Sequence, residues 1–191
     1  WRQSSGVEPS APLVFINTLL EFIEKFEPTH NAAVFDAPGP TNRHEEYPEY
    51  KATRDKMPEE LSVALPYVFK LLEAFRIPVL RVEGWEADDV IGTLALSASG
   101  AGMTTYMVTP DKDFAQLVSP NTWLYRPGRA GKPAELLGEQ DVLAKWKIQR
   151  VDQIIDLLGL MGDTSDNVPG VPGIGEKTAQ KLLAEFDTVE G

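Results

Sequence analysis

Cysteine is absent from the 191 residues. Without it there is no disulfide framework and no thiolate metal site. Histidine occurs twice, at His30 and His44, which argues against a zinc centre built on imidazoles. A Ser-His-Asp triad would have to use one of these two, and neither sits in a nucleophile-type motif. No apolar run approaches the ~18 residues of a membrane span, and no signal-peptide pattern is present. Positive charge is scarce: 18 Lys and Arg face 29 Asp and Glu, a net charge of −11. Taken alone, that balance argues against a nucleic-acid binder, which is usually basic. What is there is ordinary for a globular chain of about one domain: 42% hydrophobic and 25% charged residues.

Apolar spacing predicts helices over 12–26, 58–76, 86–97, 151–161 and 176–186, and strands over 32–35, 78–82 and 103–109. A short helical turn is expected at 114–117. A β-hairpin is expected from 122–126 and 134–137 around the Gly/Pro loop 127–131. Residues 1–10 read as a polar loop. Residues 41–56 carry much charge and no apolar face, and read as an exposed excursion. No internal repeat is visible. Strands alternating with helices predict an α/β fold, a mostly parallel sheet flanked by helices on both faces. In such sheets the ligand site lies beyond the carboxyl ends of the strands.

Acids gather at those ends. Asp36 follows the first strand, Glu86-Ala87-Asp88-Asp89 follows the second, and Asp111-Lys112-Asp113 follows the third. Acids at a helix start are favoured by the helix dipole, so the second motif alone has a purely structural reading. Its spacing adds more. Asp88 shares a face with Ile91 and Ala95, the apolar face, where a carboxylate needs a partner. Glu86 and Asp89 are i, i+3 neighbours and repel unless a cation lies between them. Asp163 and Asp166 add two more carboxylates in a loop after an apolar helix. The eight acids, with no Cys and few His, are hard oxygen donors that suit Mg²⁺ or Mn²⁺. So many carboxylates can hold two ions about 4 Å apart, a pair that activates a water and steadies the leaving oxygen in phosphodiester hydrolysis.

Residues 168–179, VPGVPGIGEKTA, join two helices through a Gly/Pro loop. Gly170, Gly173 and Gly175 permit close backbone approach. The N–H groups opening the next helix, with Lys177 and Thr178 beside them, form a phosphate-binding arrangement. The Walker spacing is missing, which excludes a nucleoside-triphosphatase loop. Phosphate contacts carry no sequence information, so the loop suits a structure-selective DNA binder.

The ordered set of Val34-Phe35-Asp36, Pro48 through Arg54, Glu86 through Ile91, Asp111-Lys112-Asp113 and Gly162 through Ala179 resembles the 5′-nuclease (flap endonuclease-like) domain of bacterial DNA polymerase I. The resemblance runs from about Phe15 to Phe186. It implies a PIN-like core over 1–150, with a helical arch at about 41–57, and a helix–hairpin–helix-type duplex-binding region over 151–191. It implies two divalent ions, the first group matched by Asp36, Glu86, Asp88, Asp89 and Asp111, the second by Asp113, Asp163 and Asp166. Lys51 matches a lysine that reaches the scissile phosphate, and Tyr50 an aromatic that stacks on a substrate base. Arg43 and Arg54 match further phosphate contacts. The glycine loop matches an element that grips duplex backbone with a bound monovalent cation such as K⁺.

Further expectations come with the resemblance. They are DNA with a 5′ flap or 5′ end, or an RNA primer, as substrate; a polymerase domain in the parent chain; a monomer; and a cytoplasmic location. The family carries another Asp on a strand upstream of the position of Trp1, so the chain is expected to be incomplete at both ends. Two rival readings stand beside the nuclease: a non-catalytic DNA-binding fragment and a PIN-type ribonuclease. Setting aside the eight site acids leaves 21 acids against 18 bases, so the acidity is in part the ion site seen in composition.

Overall fold

The computed structural model describes residues 10–55, 57–128 and 132–191. The expected loop at 1–10 lies outside them except for Ser10, which opens helix α1 (Ser10–Phe26). The chain continues through β1 (Ala33–Val34), α2 (Asn42–Glu46), α3 (Glu59–Ala74), β2 (Val79–Leu80), α4 (Ala87–Gly100) and β3 (Thr105–Val108). A single 3-10 turn spans Asp113–Leu117, close to the expected one. Then come β4 (Thr122–Arg126), β5 (Glu135–Leu137), α5 (Glu139–Trp146), α6 (Gln153–Met161), β6 (Gly162–Asp163), β7 (Val168–Pro169) and α7 (Glu176–Phe186).

The fold is α/β, as the alternation implies. Among the described residues its strands form three small sheets rather than one continuous sheet. β1 pairs parallel with β2, Ala33 opposite Val79, and β3 pairs parallel with β4, Thr105 opposite Thr122. β5 closes the expected hairpin antiparallel to β4, and 129–131 of its loop lie outside the described residues. Helix α4 packs on both β1 and β3, so a helix, not a shared ladder, holds the two parallel pairs side by side. Residues 162–167, expected as a loop after an apolar helix, belong to a small hairpin: Asp163 pairs with Val168 across β6 and β7.

Three apolar clusters carry the packing. Leu124, Val142 and Ile154 centre the first, where β4, α5 and α6 meet. Val68, Leu72 and Ile77 join α3 to Phe15, Leu19 and Ile23 of α1. Leu157, Leu160, Ala179 and Leu183 fuse α6 to α7. Helix α6 feeds both the first and third clusters, so the C-terminal helices are keyed into the core. Among the described residues no helix is long and apolar enough to cross a membrane.

The segment 41–55 is mostly exposed, as expected, but it is anchored at a few points. It is a short helix and a run of turns folded down onto the molecule, with Thr41 and Tyr50 buried. Charge explains why an apolar face is unnecessary. Arg43, Lys51 and the Tyr50 phenol meet acids at the element ends, and those pairings replace hydrophobic burial. Lys56 lies outside the described residues.

Candidate active site

Each carboxylate is delivered by an element end. Phe35 extends the β1–β2 ladder by donating to Leu80 O at 3.0 Å, and Asp36 follows it. Asp36 Oδ1 accepts the Ala87 N–H at 2.7 Å, which ties the end of β1 to the first turn of α4. Thr109 donates to Tyr125 O at 3.1 Å and ends the β3 ladder just before Asp111. Asp111 Oδ1 accepts the Asp113 N–H at 2.9 Å. Asp163 Oδ1 accepts the N–H groups of Ser165 and Asp166 at 2.7 and 3.3 Å, an Asx-type turn that shapes the hairpin tip.

These ends share one cleft, and their charges feel one another. Restricted hydration pushes Asp88 up to about 6, with Asp111, Glu86 and Asp36 adding to the rise. The same cause pushes Asp113 up to about 6, with Asp111, Asp163 and Asp166 adding to it. Asp88 thus feels Asp36, Glu86 and Asp111, and Asp113 feels Asp111, Asp163 and Asp166, with Asp111 common to both groups. Asp88, expected on the apolar face with Ile91 and Ala95, instead stays exposed to the cleft, while Ala95 alone is fully buried there.

The segment 41–55 closes over the acids. Lys51 Nζ lies 2.8 Å from Glu86 Oε1 and 3.8 Å from Asp166 Oδ2. Tyr50 Oη is 2.9 Å from Glu86 Oε2 and 3.0 Å from Asp166 Oδ2, and burial with these acids pushes the phenol well above its ordinary value. Tyr50 is turned inward, where its hydroxyl finds carboxylate acceptors. Lys51 has φ of +56°, a left-handed conformation that costs a non-glycine residue roughly 1–2 kcal/mol. Its N–H donates to Asp166 O at 2.9 Å, which holds it there.

Arg43 is also turned inward. Its guanidinium takes both oxygens of Asp89 at 2.6 and 2.7 Å and reaches Glu86 Oε2 at 3.4 Å. It is the cation that the Glu86/Asp89 spacing demands. Arg54 is exposed, and among the described residues no ion pair reaches its side chain. Asn167, not picked out from the sequence, joins the hairpin to the closing segment by donating Nδ2–H to Glu49 O at 2.8 Å. Its φ of +57° is a left-handed conformation that Asn tolerates.

The glycine loop divides in two. At Gly170 the close approach is to the chain itself, since a Cβ there would overlap the Met161 carbonyl and Gly162 N. Gly173 has φ of +81°, which favours glycine, and Gly173 and Gly175 face open space. Lys177 and Thr178 are exposed in the first turn of α7.

The acids fit divalent cations by an observation of their own. Asp113 Oδ1 is buried and has no hydrogen-bond partner among the described residues. A buried carboxylate oxygen is costly unless paired, and a cation pairs it. Among the described residues no three acid or imidazole side chains are already arranged to hold an ion. Lys51, Arg43 and Tyr50 instead satisfy part of the set.

Comparison with known proteins gives a consistent result. Residues 1–147 match the family model of the 5′-3′ exonuclease N-terminal resolvase-like domain, and residues 149–191 that of the 5′-3′ exonuclease C-terminal SAM fold. DNA polymerase I of Bacillus caldotenax is 44% identical over 189 residues, covering 99% of this chain and 21% of that protein. The chain thus spans about a fifth of the length of this relative. A structure of T5 5′-exonuclease with bound zinc superposes with a TM-score of 0.77 at 22% identity, covering 96% of this chain and 70% of that one. A bacteriophage T5 D15 flap endonuclease complex with DNA and metal ions superposes at 0.74 and 24% identity, covering 94% and 68%. These likenesses show the fold, the PIN-like arrangement expected from the sequence.

Proposed function

The chain belongs to the 5′-3′ exonuclease family, and on that premise we propose that it hydrolyses phosphodiesters at 5′ flaps and 5′ ends of DNA, and in RNA primers, with two divalent ions. The reading places Mg²⁺ or Mn²⁺ among Asp36, Glu86, Asp88 and Asp111 on one side and Asp113, Asp163 and Asp166 on the other. The observation that carries it is the buried Asp113 Oδ1, which has no hydrogen-bond partner among the described residues.

Lewis-acid charge for the reaction comes from the ions when bound. The chain's own residues supply position and compensating charge. Lys51, already within the cleft, moves from Glu86 to the scissile phosphate and offsets charge that grows in the transition state. Tyr50 leaves its carboxylates to stack on a base, a contact indifferent to sequence. Arg54 holds a phosphate of the threaded strand. Gly173, Gly175, Lys177 and Thr178 grip the duplex backbone, with a K⁺-type ion in the loop, and Gly170 shapes that loop. In this reading 1–150 is the nuclease core and 151–191 the duplex-binding region of a monomeric, cytoplasmic chain that continues into a polymerase domain. Support for the last point is the relative named DNA polymerase I.

Cleavage of labelled 5′-flap DNA in Mg²⁺ by this chain and by Asp88→Ala tests the reading. Cleavage by the parent, lost in the variant, is expected. Cleavage that survives in Asp88→Ala overturns the ion assignment. Duplex binding without cleavage favours a non-catalytic DNA-binding fragment, and cleavage of RNA alone favours a PIN-type ribonuclease.

A further inference from the structure

We propose that Asp89 is the anchor of a latch rather than an ion ligand: with Arg43 it fixes the α2 end of the 41–55 segment over the acids, and both residues act on the reaction by positioning Lys51. The inference rests on the two-ion reading of the neighbouring acids.

The first argument is bidentate geometry. Asp89 Oδ1 accepts from Arg43 Nη2 at 2.7 Å, and Oδ2 accepts from Arg43 Nη1 at 2.6 Å and from the Glu86 N–H at 3.1 Å. Both oxygens are engaged in a fork-to-fork pair, the strong geometry of an Arg–carboxylate contact. Engaged oxygens alone do not set Asp89 apart, since Glu86 also accepts on both of its oxygens, from Lys51 and Tyr50; the bidentate geometry does. Asp88 differs, since among the described residues no hydrogen bond or ion pair reaches its carboxylate. Adjacent acids on one helix therefore have separate employment, Asp88 towards the cleft and Asp89 towards α2.

The second argument is mechanical. Helix α2 has five residues and buries none of them, so it cannot hold its place by apolar packing. Two contacts secure it to the start of α4: the Asn42 N–H donates to Gly84 O at 3.0 Å, and Arg43 grips Asp89. Downstream of α2, Tyr50 and Lys51 land on Glu86 and Asp166. Releasing Arg43 loosens the α2 end of the run, while Glu49 and Lys51 stay tied to the hairpin through Asn167 and Asp166. Arg43 also lies 3.4 Å from Glu86 Oε2, so it shields the repulsion between Glu86 and Asp89 while leaving Glu86 Oε1 to Lys51.

Calcium affinity by titration calorimetry and trypsin cleavage after Lys51 and Arg54 read the two roles separately. Asp88→Asn lowers Ca²⁺ affinity at least about tenfold, the scale of a disrupted ion site. Asp89→Asn changes it by less than about fivefold, the scale of an exposed ion pair, while trypsin cleavage within 41–55 speeds up. Arg43→Ala speeds that cleavage equally, and the double variant is no faster than either single one, because the two residues form one contact. Arg43→Lys gives an intermediate rate, since it keeps the charge and loses the fork. Asp89→Asn weakening Ca²⁺ as much as Asp88→Asn overturns the proposal, as do additive effects of Arg43→Ala and Asp89→Asn on cleavage. If Asp88→Asn leaves Ca²⁺ binding intact, the two-ion reading fails, and the trypsin arm still decides the latch.

Discussion

Lys51 Nζ stands 2.8 Å from Glu86 Oε1, where a cation among these acids has to be. The side chains are 15% and 9% exposed, so solvent screens the pair little. Lysine and a divalent ion therefore compete for one carboxylate. Lys51→Ala is expected to bind Ca²⁺ several-fold more tightly than the parent in the absence of DNA. The same variant is expected to cleave 5′-flap DNA about a hundredfold more slowly or worse, the cost of losing one donor to developing charge. Calorimetry and single-turnover cleavage check the two halves.

The raised Asp113 makes stability depend on pH. Reduced hydration and Asp111 hold its proton up to about 6 in the folded chain, against an ordinary value of 3.8. Between these values the folded state binds more protons than the unfolded one, so this group's contribution falls as pH rises through the window. Without divalent ions, Asp113→Asn is expected to melt above the parent at pH 7 and level with it below about pH 4. Scanning calorimetry at both pH values in a chelator checks this. Equal shifts at both would remove the electrostatic explanation.

Gly170 is a packing requirement of the hairpin that carries Asp163 and Asp166. A methyl group there meets the Met161–Gly162 backbone, which cannot swing aside as a side chain would. Gly170→Ala is expected to cost roughly 1–3 kcal/mol, as overpacked sites do. It is expected to weaken divalent binding as well, because the hairpin must shift. Denaturant unfolding and metal titration measure both. Gly173→Ala faces open space but positive φ, and loses stability with little change in ion binding.

Lys177 belongs to a different face of the problem. It is exposed in the first turn of α7, and among the described residues no ion pair ties it to the site acids. Lys177→Ala is expected to weaken duplex binding alike for all sequences and to reduce the slope of log K against log salt by about 1. Calcium affinity stays unchanged. Fluorescence anisotropy across a salt series reads the slope.

The sequence made some of this legible and hid the rest for physical reasons. Helix α7 and the carboxylates at element ends were readable because apolar period and polar interruption are local signals. The demand of Glu86 and Asp89 for a cation was readable too, as an i, i+3 repulsion. Its answer was not, since Arg43 lies 46 positions from Asp89 and nothing local marks the pairing. The segment 41–55 looked exposed because it lacks an apolar face, yet Tyr50 is buried there by acids from distant elements. The hairpin of β6 and β7 was missed because two-residue strands carry no period to detect. The split of the strands into three sheets depends on which ones find partners in space, which alternation along the chain cannot specify.

The account's central claim is that the crowded carboxylates form a two-ion centre. Titration of the chain with Mn²⁺, followed by electron paramagnetic resonance of the free ion, tests it most directly. Two bound ions per chain are predicted, with Asp113→Asn weakening at least one of them about tenfold or more. No bound ion, or a titration unchanged by Asp113→Asn, would contradict it.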